Sequence, residues 1–178
     1  MTSFTITVDD KAVQGTLMKL SARVDNLTPA LQTIGEGIVE RTRRRFETSK
    51  GPDGVAWKPN SAVTLSLFSG RLAGQKSKVK KDGSLNAAGE RALANKKPLI
   101  ADGELRRQFD IRAVGNSLTV VSTPEYAAIQ QFGGKAGRGR KVTIPARPFL
   151  PIHQNGALYP AEQSDVLQAI NAYLMDDL

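Results

Sequence analysis

Apolar residues recur at helical spacing through the first quarter of the chain. In Lys11–Asn26 they stand four, three and four residues apart, which predicts an amphipathic helix. A second helix is predicted to begin at Thr28, because Pro29 suits the first turn of a helix. Before both, Ser3–Val8 alternates apolar and polar residues, which predicts a strand. The apolar stripes are Val13, Leu17, Leu20 and Val24 in the first helix, and Leu31, Ile34, Ile38 and Phe46 in the second.

In the centre of the chain, apolar and polar residues alternate with a period of two. Phe109–Val114 and Leu118–Ser122 each place apolar residues at every second position, which predicts half-buried strands. The residues between them, Gly115–Ser117, are typical of turns, so the two strands are predicted to form an antiparallel hairpin. Ahead of the hairpin, Leu99–Leu105 is predicted to start a short helix, with Asp102 as its cap.

Prolines and glycines divide the rest of the chain. Pro124 is predicted to start a short helix that ends at Gly133, and Val142–Ile144 is predicted to be a third strand. Pro145–Pro151 contains three prolines and is expected to be stiff, because each proline fixes φ and removes a donor. A last helix is predicted over about residues 160–177, starting at Pro160. Its apolar stripe is Val166, Leu167, Ile170, Tyr173 and Leu174.

The sequence of residues 60–97 indicates secondary structure less clearly. Asn60 and Ser61 are suited to cap a helical segment, although two glycines within it weaken that prediction. Gln75–Ser84 is rich in lysine and is expected to be an exposed loop or a mobile arm, and Leu85–Asn95 is predicted to be a short helix. Together these elements predict one α+β domain over residues 1–178, in which helices and long flexible loops surround an antiparallel sheet of three or four strands.

Composition narrows the class of protein. The 178 residues include 40% hydrophobic and 6% aromatic residues, which predicts a modest and mainly aliphatic core. No run of about 20 apolar residues occurs, so we expect no transmembrane helix and no membrane partner. The N-terminus lacks the features of a secretory signal. The absence of cysteine excludes disulfides and thiolate metal sites, and it is compatible with synthesis in a reducing cytoplasm.

Positive charge is the strongest compositional signal. The net charge is +8, which indicates either a basic solvated surface or contact with nucleic acid or an acidic protein. One concentration of charge is the run of arginines at the end of the second helix, for which we favour a structural interpretation over phosphate binding. The other is the glycine-rich loop between Gly134 and Val142. Its cations are Lys135, Arg138, Arg140 and Lys141, whose targets are DNA, an acidic neighbouring subunit or solvent.

Catalytic motifs are missing. His153 is the only histidine, and no G-x-S-x-G nucleophile elbow occurs. Carboxylates show neither H-E-x-x-H nor EF-hand spacing, so no metal site is predicted. The glycine-rich basic loop differs from a Walker A motif, since Arg-Lys follows Gly139 where Lys and Ser or Thr are required. We therefore expect no enzyme activity, no cofactor and no catalytic residue.

Three motifs follow one another in a distinctive order. The first is R-F at Arg45–Phe46 with P-D-G-V-A-W-K-P at Pro52–Pro59; the second is Y-A-A-I-Q-Q-F-G-G from Tyr126; the third is I-P-A-R-P-F-L at Ile144–Leu150. In this order they resemble the phage virion morphogenesis family, the tail-completion or neck proteins of tailed phages and Mu-like prophages. The resemblance covers roughly Leu27 to Leu150 but not the lysine-rich part, about residues 65–97, which we interpret as a variable insertion.

The resemblance implies a structural protein of the virion. It implies assembly in a ring, with six copies, around the DNA channel at the head–tail junction, after synthesis in the cytoplasm of the bacterial host. The expected partners are other copies of the chain, neighbouring neck, portal-side and tail proteins, and genomic DNA contacted without sequence specificity. A tail terminator, a stopper protein or a free nucleic-acid-binding protein are the alternatives. The motif residues expected to form interfaces or anchor loops are Trp57, Tyr126, Phe132, Arg147 and Phe149.

Overall fold

The computed structural model describes residues 10–176, so the strand predicted over Ser3–Val8 lies outside the described residues. Helices and short strands combine in one α+β arrangement, which confirms the predicted fold class. The helices are α1 Lys11–Asp25, α2 Thr28–Thr48, α3 Ala62–Ala73, α4 Ala87–Ala94, α5 Glu104–Arg107, α6 Ala127–Phe132 and α7 Pro160–Met175. The strands are β1 Phe109–Val114, β2 Ser117–Ser122, β3 Gly134–Ala136 and β4 Val142–Ile144.

Helix α2 is the central element, and it packs on the hairpin formed by β1 and β2. The hairpin approaches α2 closely at Gly35. A Cβ atom there would lie 2.6 Å from Cγ2 of Ile111 and 2.9 Å from Cδ1 of Leu118, well inside van der Waals distance. Glycine in a helix interior normally costs stability, so its position here is explained by the close approach of the hairpin.

Two apolar clusters lie at the two ends of α2. The predicted inner face of α2 is buried as expected, and its first three members form one cluster with the hairpin and α7. The last member, Phe46, belongs to the second cluster, in which loops and short helices supply the other side chains. The first cluster is centred on Leu31, Ile34 and Ile38; the second consists of Phe46, Trp57, Leu105, Ala127 and Phe149.

The strands differ from the prediction of one sheet with three or four members. The four strands in residues 10–176 form two separate antiparallel pairs, β1 with β2 and β3 with β4. Val142–Ile144 is a strand as predicted, but it pairs with Gly134–Ala136, which we had assigned to the flexible basic loop. Pairing across a short connection is local, and three residues are too few for alternation to reveal a strand.

The region between α3 and α5 is more ordered than predicted. Gln75–Ser84 is not an open loop, because it contains a 3₁₀ turn and the side chain of Asn86 donates to the carbonyl of Ser77 at 3.0 Å. The same side chain caps α4 by accepting from the backbone N–H of Gly89. The helix predicted from Leu99 begins only at Glu104, since Leu99 has a left-handed φ of 61°.

The outer helices are less buried than their patterns indicate. Helix α1 is amphipathic as predicted, yet none of its residues is buried, and the side chains of Val13 and Leu17 are 60% and 58% exposed. In α7, Val166 and Ile170 pack on the first cluster, but Leu167 of the predicted stripe is 54% exposed. An amphipathic pattern therefore identified an apolar face in each helix without identifying what covers it.

Replacing Gly35 by alanine is predicted to lower the free energy of unfolding by about 1–2 kcal/mol, because overpacking against Ile111 and Leu118 outweighs the gain in helix propensity. The matched control is Gly70→Ala in α3, where a Cβ atom meets nothing within 4 Å, and it should stabilise the protein slightly. Urea denaturation of both variants measures the difference. Equal stabilisation by the two substitutions would contradict the close packing of α2 on the hairpin.

Candidate interaction surface and the segments that position it

Trp57 joins the loop after α2 to the proline-rich segment. Its ring is buried and meets the ring of Phe46 edge-on, with centroids 5.4 Å apart. The indole Nε1 donates a hydrogen bond of 2.9 Å to the carbonyl of Pro148. Of the two roles considered for this residue, the structure gives it the internal one, in which the apolar ring is buried and its N–H finds a partner.

Gln131 of α6 binds the backbone of the proline-rich segment from the other side. It is 2% exposed, and its Oε1 accepts hydrogen bonds from the N–H groups of Phe149 and Leu150 at 2.8 and 2.9 Å. Its Nε2 donates to the carbonyls of Leu150 and Ile152, both at 3.0 Å. One side-chain amide thus satisfies four backbone groups that have no strand partner. Nothing in the sequence pattern had indicated this role.

Arg147 points inwards instead of towards a neighbouring molecule. Its Nε and Nη2 donate to the carbonyls of Lys58 and Pro59, both at 2.8 Å, and the residue is 8% exposed. Burial lowers the pKa of the Arg147 guanidinium from its ordinary value. The guanidinium therefore ties the third motif to the first through backbone carbonyls, which explains why an arginine with several fixed donors occupies this position.

Two arginines at the end of α2 bind one buried carboxylate. Arg41 and Arg45 both form ion pairs with Glu162 in the first turn of α7, and Glu162 is 2% exposed. Arg45 also donates from Nη1 to the carbonyl of Phe149 at 3.0 Å. Hydrogen bonding to Glu162 raises the pKa of Arg41, whereas burial lowers the pKa of Arg45.

This arginine–glutamate cluster (Arg41, Arg45 and Glu162) gives part of the arginine run a structural role, as favoured from the sequence, but for a different reason. The partner is a carboxylate 117 residues beyond Arg45 and not the negative end of α2. Sequence reasoning missed Glu162, because a single glutamate in a first helical turn looks like an ordinary exposed residue. The remaining arginines of the run, Arg43 and Arg44, are exposed.

The basic tip consists of Lys135, Arg138, Arg140 and Lys141, which the β3–β4 hairpin brings together. Lys135 lies in β3, and the others occupy the turn and its end. All four are exposed, and their side chains have no hydrogen bond or ion pair with another part of residues 10–176. Glycines at 137 and 139 take left-handed φ values, which allow this tight turn. Arg140 also has a positive φ of 54°, a strained conformation for a residue with a side chain.

The base of the hairpin is held firmly. Gly133 ends α6 with a φ of 75°, and a Cβ atom there would lie 2.8 Å from the backbone nitrogen of Ala146. On the other side of the hairpin, the N–H of Arg147 donates to the carbonyl of Gln130 at 2.9 Å. The basic tip is therefore displayed from a fixed base.

Tyr126 and Phe132 are the two motif aromatics that remain accessible. They lie at the beginning and end of α6 and are 43% and 37% exposed, in contrast to Trp57, Arg147 and Phe149. Partial burial and then the negative charges of Asp102 and Glu104 raise the pKa of Tyr126. The five residues predicted to be interface residues or loop anchors thus divide into three internal ones and two surface ones.

Other kinds of site are not visible in the part of the chain that the structure describes. Residues 10–176 contain no group of three or more His, Asp or Glu side chains arranged to hold a metal ion. None of the helices in the same range combines the length and apolarity needed to cross a membrane. The imidazole of His153 stacks on the ring of Tyr159, with centroids 3.7 Å apart.

Replacing Gln131 by alanine is predicted to lower the free energy of unfolding by roughly 2–4 kcal/mol, because four backbone groups lose their partner. Gln130→Ala is the matched control on the same helix, since Oε1 of Gln130 has no partner among the described residues; its effect should stay within about 1 kcal/mol. Chemical denaturation gives both values. Similar losses for the two variants would refute the role assigned to Gln131.

Glu162→Gln is predicted to lower the free energy of unfolding by about 3 kcal/mol, because it leaves the partly buried Arg45 without a counter-charge. The control Asp165→Asn removes a carboxylate 3.6 Å from Arg41 that is itself 48% exposed, and it should cost less than about 1 kcal/mol. Thermal and urea unfolding should rank the two variants in this order. An equal loss of stability in the two variants would show that the burial of Glu162 does not strengthen its ion pairs.

Comparisons with known proteins agree with the arrangement of the three motifs. The model of the phage virion morphogenesis family matches residues 8–174. A curated relative, the Mu-like prophage FluMu G protein 2 of Haemophilus influenzae, is 56% identical over 76 residues, which are 43% of this chain. The chain spans about half the length of that relative, with 51% covered. No solved structure matches the chain. Since the family model covers nearly all of it, this chain belongs to the phage virion morphogenesis family.

Proposed function

We propose that this protein is a structural component of the phage head–tail junction, which completes or joins the tail by forming a ring around the DNA channel. Membership of a virion morphogenesis family gives the general role, and the curated relative is a protein of a Mu-like prophage. Six copies per ring is the number that the resemblance implies. The neighbours are neck, portal-side and tail proteins, and the site of synthesis is the cytoplasm of the bacterial host.

The basic tip is the observation that carries the proposal. Four cations are concentrated on one short hairpin whose base is fixed by Gly133 and the backbone of Arg147, while the tip itself is exposed. Cations presented in this way suit phosphate groups, because guanidinium groups bind phosphate oxygens through paired hydrogen bonds. In a ring, copies of the tip directed inwards would line a channel with positive charge. An acidic surface of a neighbouring subunit is the second target that the same chemistry fits.

The proposed mechanism is ordered formation of interfaces and involves no turnover. The internal ties through Trp57, Gln131 and Arg147 fix the motif segments before any partner binds, so that only the exposed tip and surface aromatics must adapt. A preorganised contact surface loses less conformational entropy on binding than a disordered one. This division of roles favours a structural protein over an enzyme.

Two neighbouring roles use the same features. A tail terminator or stopper protein would also need ring contacts and a basic channel, so these remain alternatives within the junction. A free nucleic-acid-binding protein would use the basic tip on duplex DNA in solution. The protein lacks the recognised nucleic-acid-binding motifs, which favours a particle component.

Replacing Arg138, Arg140 and Lys141 together by alanine is predicted to reduce the yield of filled, tailed particles or their retention of DNA. The matched control replaces Lys76, Lys80 and Lys81, three exposed cations of the lysine-rich segment, and removes the same charge from another place. Electron microscopy and the DNA content of particles made from each variant prophage measure the effect. Normal particles from the tip variant would exclude a role of the basic tip in assembly.

Salt dependence separates DNA contact from protein contact. If the tip binds phosphates, the slope of log K against log salt concentration for duplex DNA should become less negative by about 2.7 in the triple tip variant, since each neutralised phosphate contributes roughly −0.9. The Lys76, Lys80 and Lys81 control should keep the original slope. An unchanged slope in the tip variant would indicate that the basic tip contacts an acidic protein partner and not DNA. Tight binding by the isolated protein at physiological salt would favour the free nucleic-acid-binding alternative.

A further inference from the structure

Helix α3 is apolar on two opposite sides. The half-buried Leu65 and the buried Leu72 lie on one side, and α3 packs against α4. With 3.6 residues per turn, Val63 and Leu67 lie on the opposite side, where they are 70% and 67% exposed. A helix that is apolar all round is normally buried. The outer face of α3 (Val63, Leu67 and Gly70) is therefore apolar like a buried face, yet it is exposed in the single chain.

The outer face of α3 allows close packing by another molecule. A Cβ atom at Gly70 would meet nothing within 4 Å, so a second helix can approach there without a clash. Arg71, the one charged residue in the sequence of α3, follows Leu67 by about one turn and is exposed at the edge of the face. An occupant of this face must therefore offer apolar side chains with a carboxylate beside them.

Charge narrows the choice of occupant. Residues 62–97 contain eight lysines and arginines but only two acidic residues, so the same face of a second copy would bring like charges together. Nucleic acid is attracted by positive charge, but phosphates contact cations and polar donors and do not cover an uncharged apolar face. An acidic protein surface with exposed apolar side chains fits both the outer face and its surroundings.

Helix α7 has these properties on the same chain. The helix and the residue that follows it contain three acidic residues and neither lysine nor arginine. Val166 packs inwards on the first cluster, whereas Leu167 and Met175 are 54% and 68% exposed. The side chain of Asp165 is itself about half exposed. The outer side of α7 (Leu167 and Met175) therefore matches the outer face of α3 in both apolarity and charge.

We infer that the outer face of α3 packs on the outer side of α7 in the neighbouring copy, with Arg71 beside a carboxylate of α7. Within one copy, α3 packs on α4, and α7 packs on α1 and α2. The two helices are different surfaces of the chain, and a contact between different surfaces of successive copies can close a ring. The inference rests on the proposed ring and names the surfaces that form it.

Thiol cross-linking tests the inference, because the sequence has no cysteine. Ser66→Cys is introduced beside the outer face of α3 in one population, and Gln168→Cys is introduced next to Leu167 in a second, which carries a mass tag. Both replaced side chains are exposed, and the apolar residues stay in place. The populations are mixed as concentrated protein and also co-incorporated into particles, and each sample is treated with a short bismaleimide. The control pairs Ser66→Cys with Thr119→Cys, an exposed strand position.

A second pair of variants tests the apolar contact itself. Leu67→Asp is added to the Ser66→Cys population and should remove the excess of linked product, because it buries a carboxylate beside the acidic α7. Ala62→Asp is the matched control, since it adds the same charge at an exposed position on another side of α3. It should leave the yield unchanged. Urea denaturation should show that both variants remain folded, because both side chains are exposed.

The expected result is product linked between the two populations, in either sample, that exceeds the Thr119 control and disappears with Leu67→Asp. No excess in either sample overturns the inference, and so does an excess that survives Leu67→Asp. Preferential linkage of Ser66→Cys to itself also overturns it, because two α3 faces would then pair. The presence or absence of the protein in purified particles judges the proposed function separately, since concentrated protein reports the contact without particles.

Discussion

Much of this structure depends on finding hydrogen-bond partners for the backbone of one proline-rich segment. Pro145–Pro151 contains three prolines, so three of its residues have no backbone N–H to donate, and its middle cannot join a regular sheet. Buried backbone groups must nevertheless find partners. They do so through side chains from three other elements: Arg45 from α2, Trp57 from the following loop and Gln131 from α6. The segment in turn supplies Phe149 to the core and Arg147 to the loop carbonyls.

These ties give the three motifs a common physical meaning. R-F with the tryptophan loop, the α6 motif and I-P-A-R-P-F-L are far apart in sequence, yet their side chains bind one another's backbones. Trp57, Gln131 and Arg147, one residue from each motif, therefore serve the internal structure. The accessible features near them are the basic tip and the two aromatics Tyr126 and Phe132, and it is these that the proposed function uses.

The sequence predicted the elements with strong periodicity and missed those whose roles depend on long-range contacts. Helix α2 and the β1–β2 hairpin were identified because many residues repeat the pattern of each. Strand β3 was missed because three residues carry almost no periodic signal. For the site, the sequence identified the basic tip, but the burial of Arg147 and Glu162 depends on partners that no local pattern specifies. The open face of α1 was invisible for a related reason, since amphipathicity does not identify the covering surface.

The arginine–glutamate cluster has a consequence for the timing of folding during synthesis. Glu162 follows Arg41 by 121 residues, so the ribosome must make the whole intervening chain before these charges can meet. Until then Arg41 and Arg45 favour hydration over burial, and the end of α2 has no stable place beside α7. Sequence-distant contacts of this kind slow folding, because loop closure precedes any gain from the contact. The packing of the end of α2 against α7 is therefore completed only after synthesis has passed Glu162.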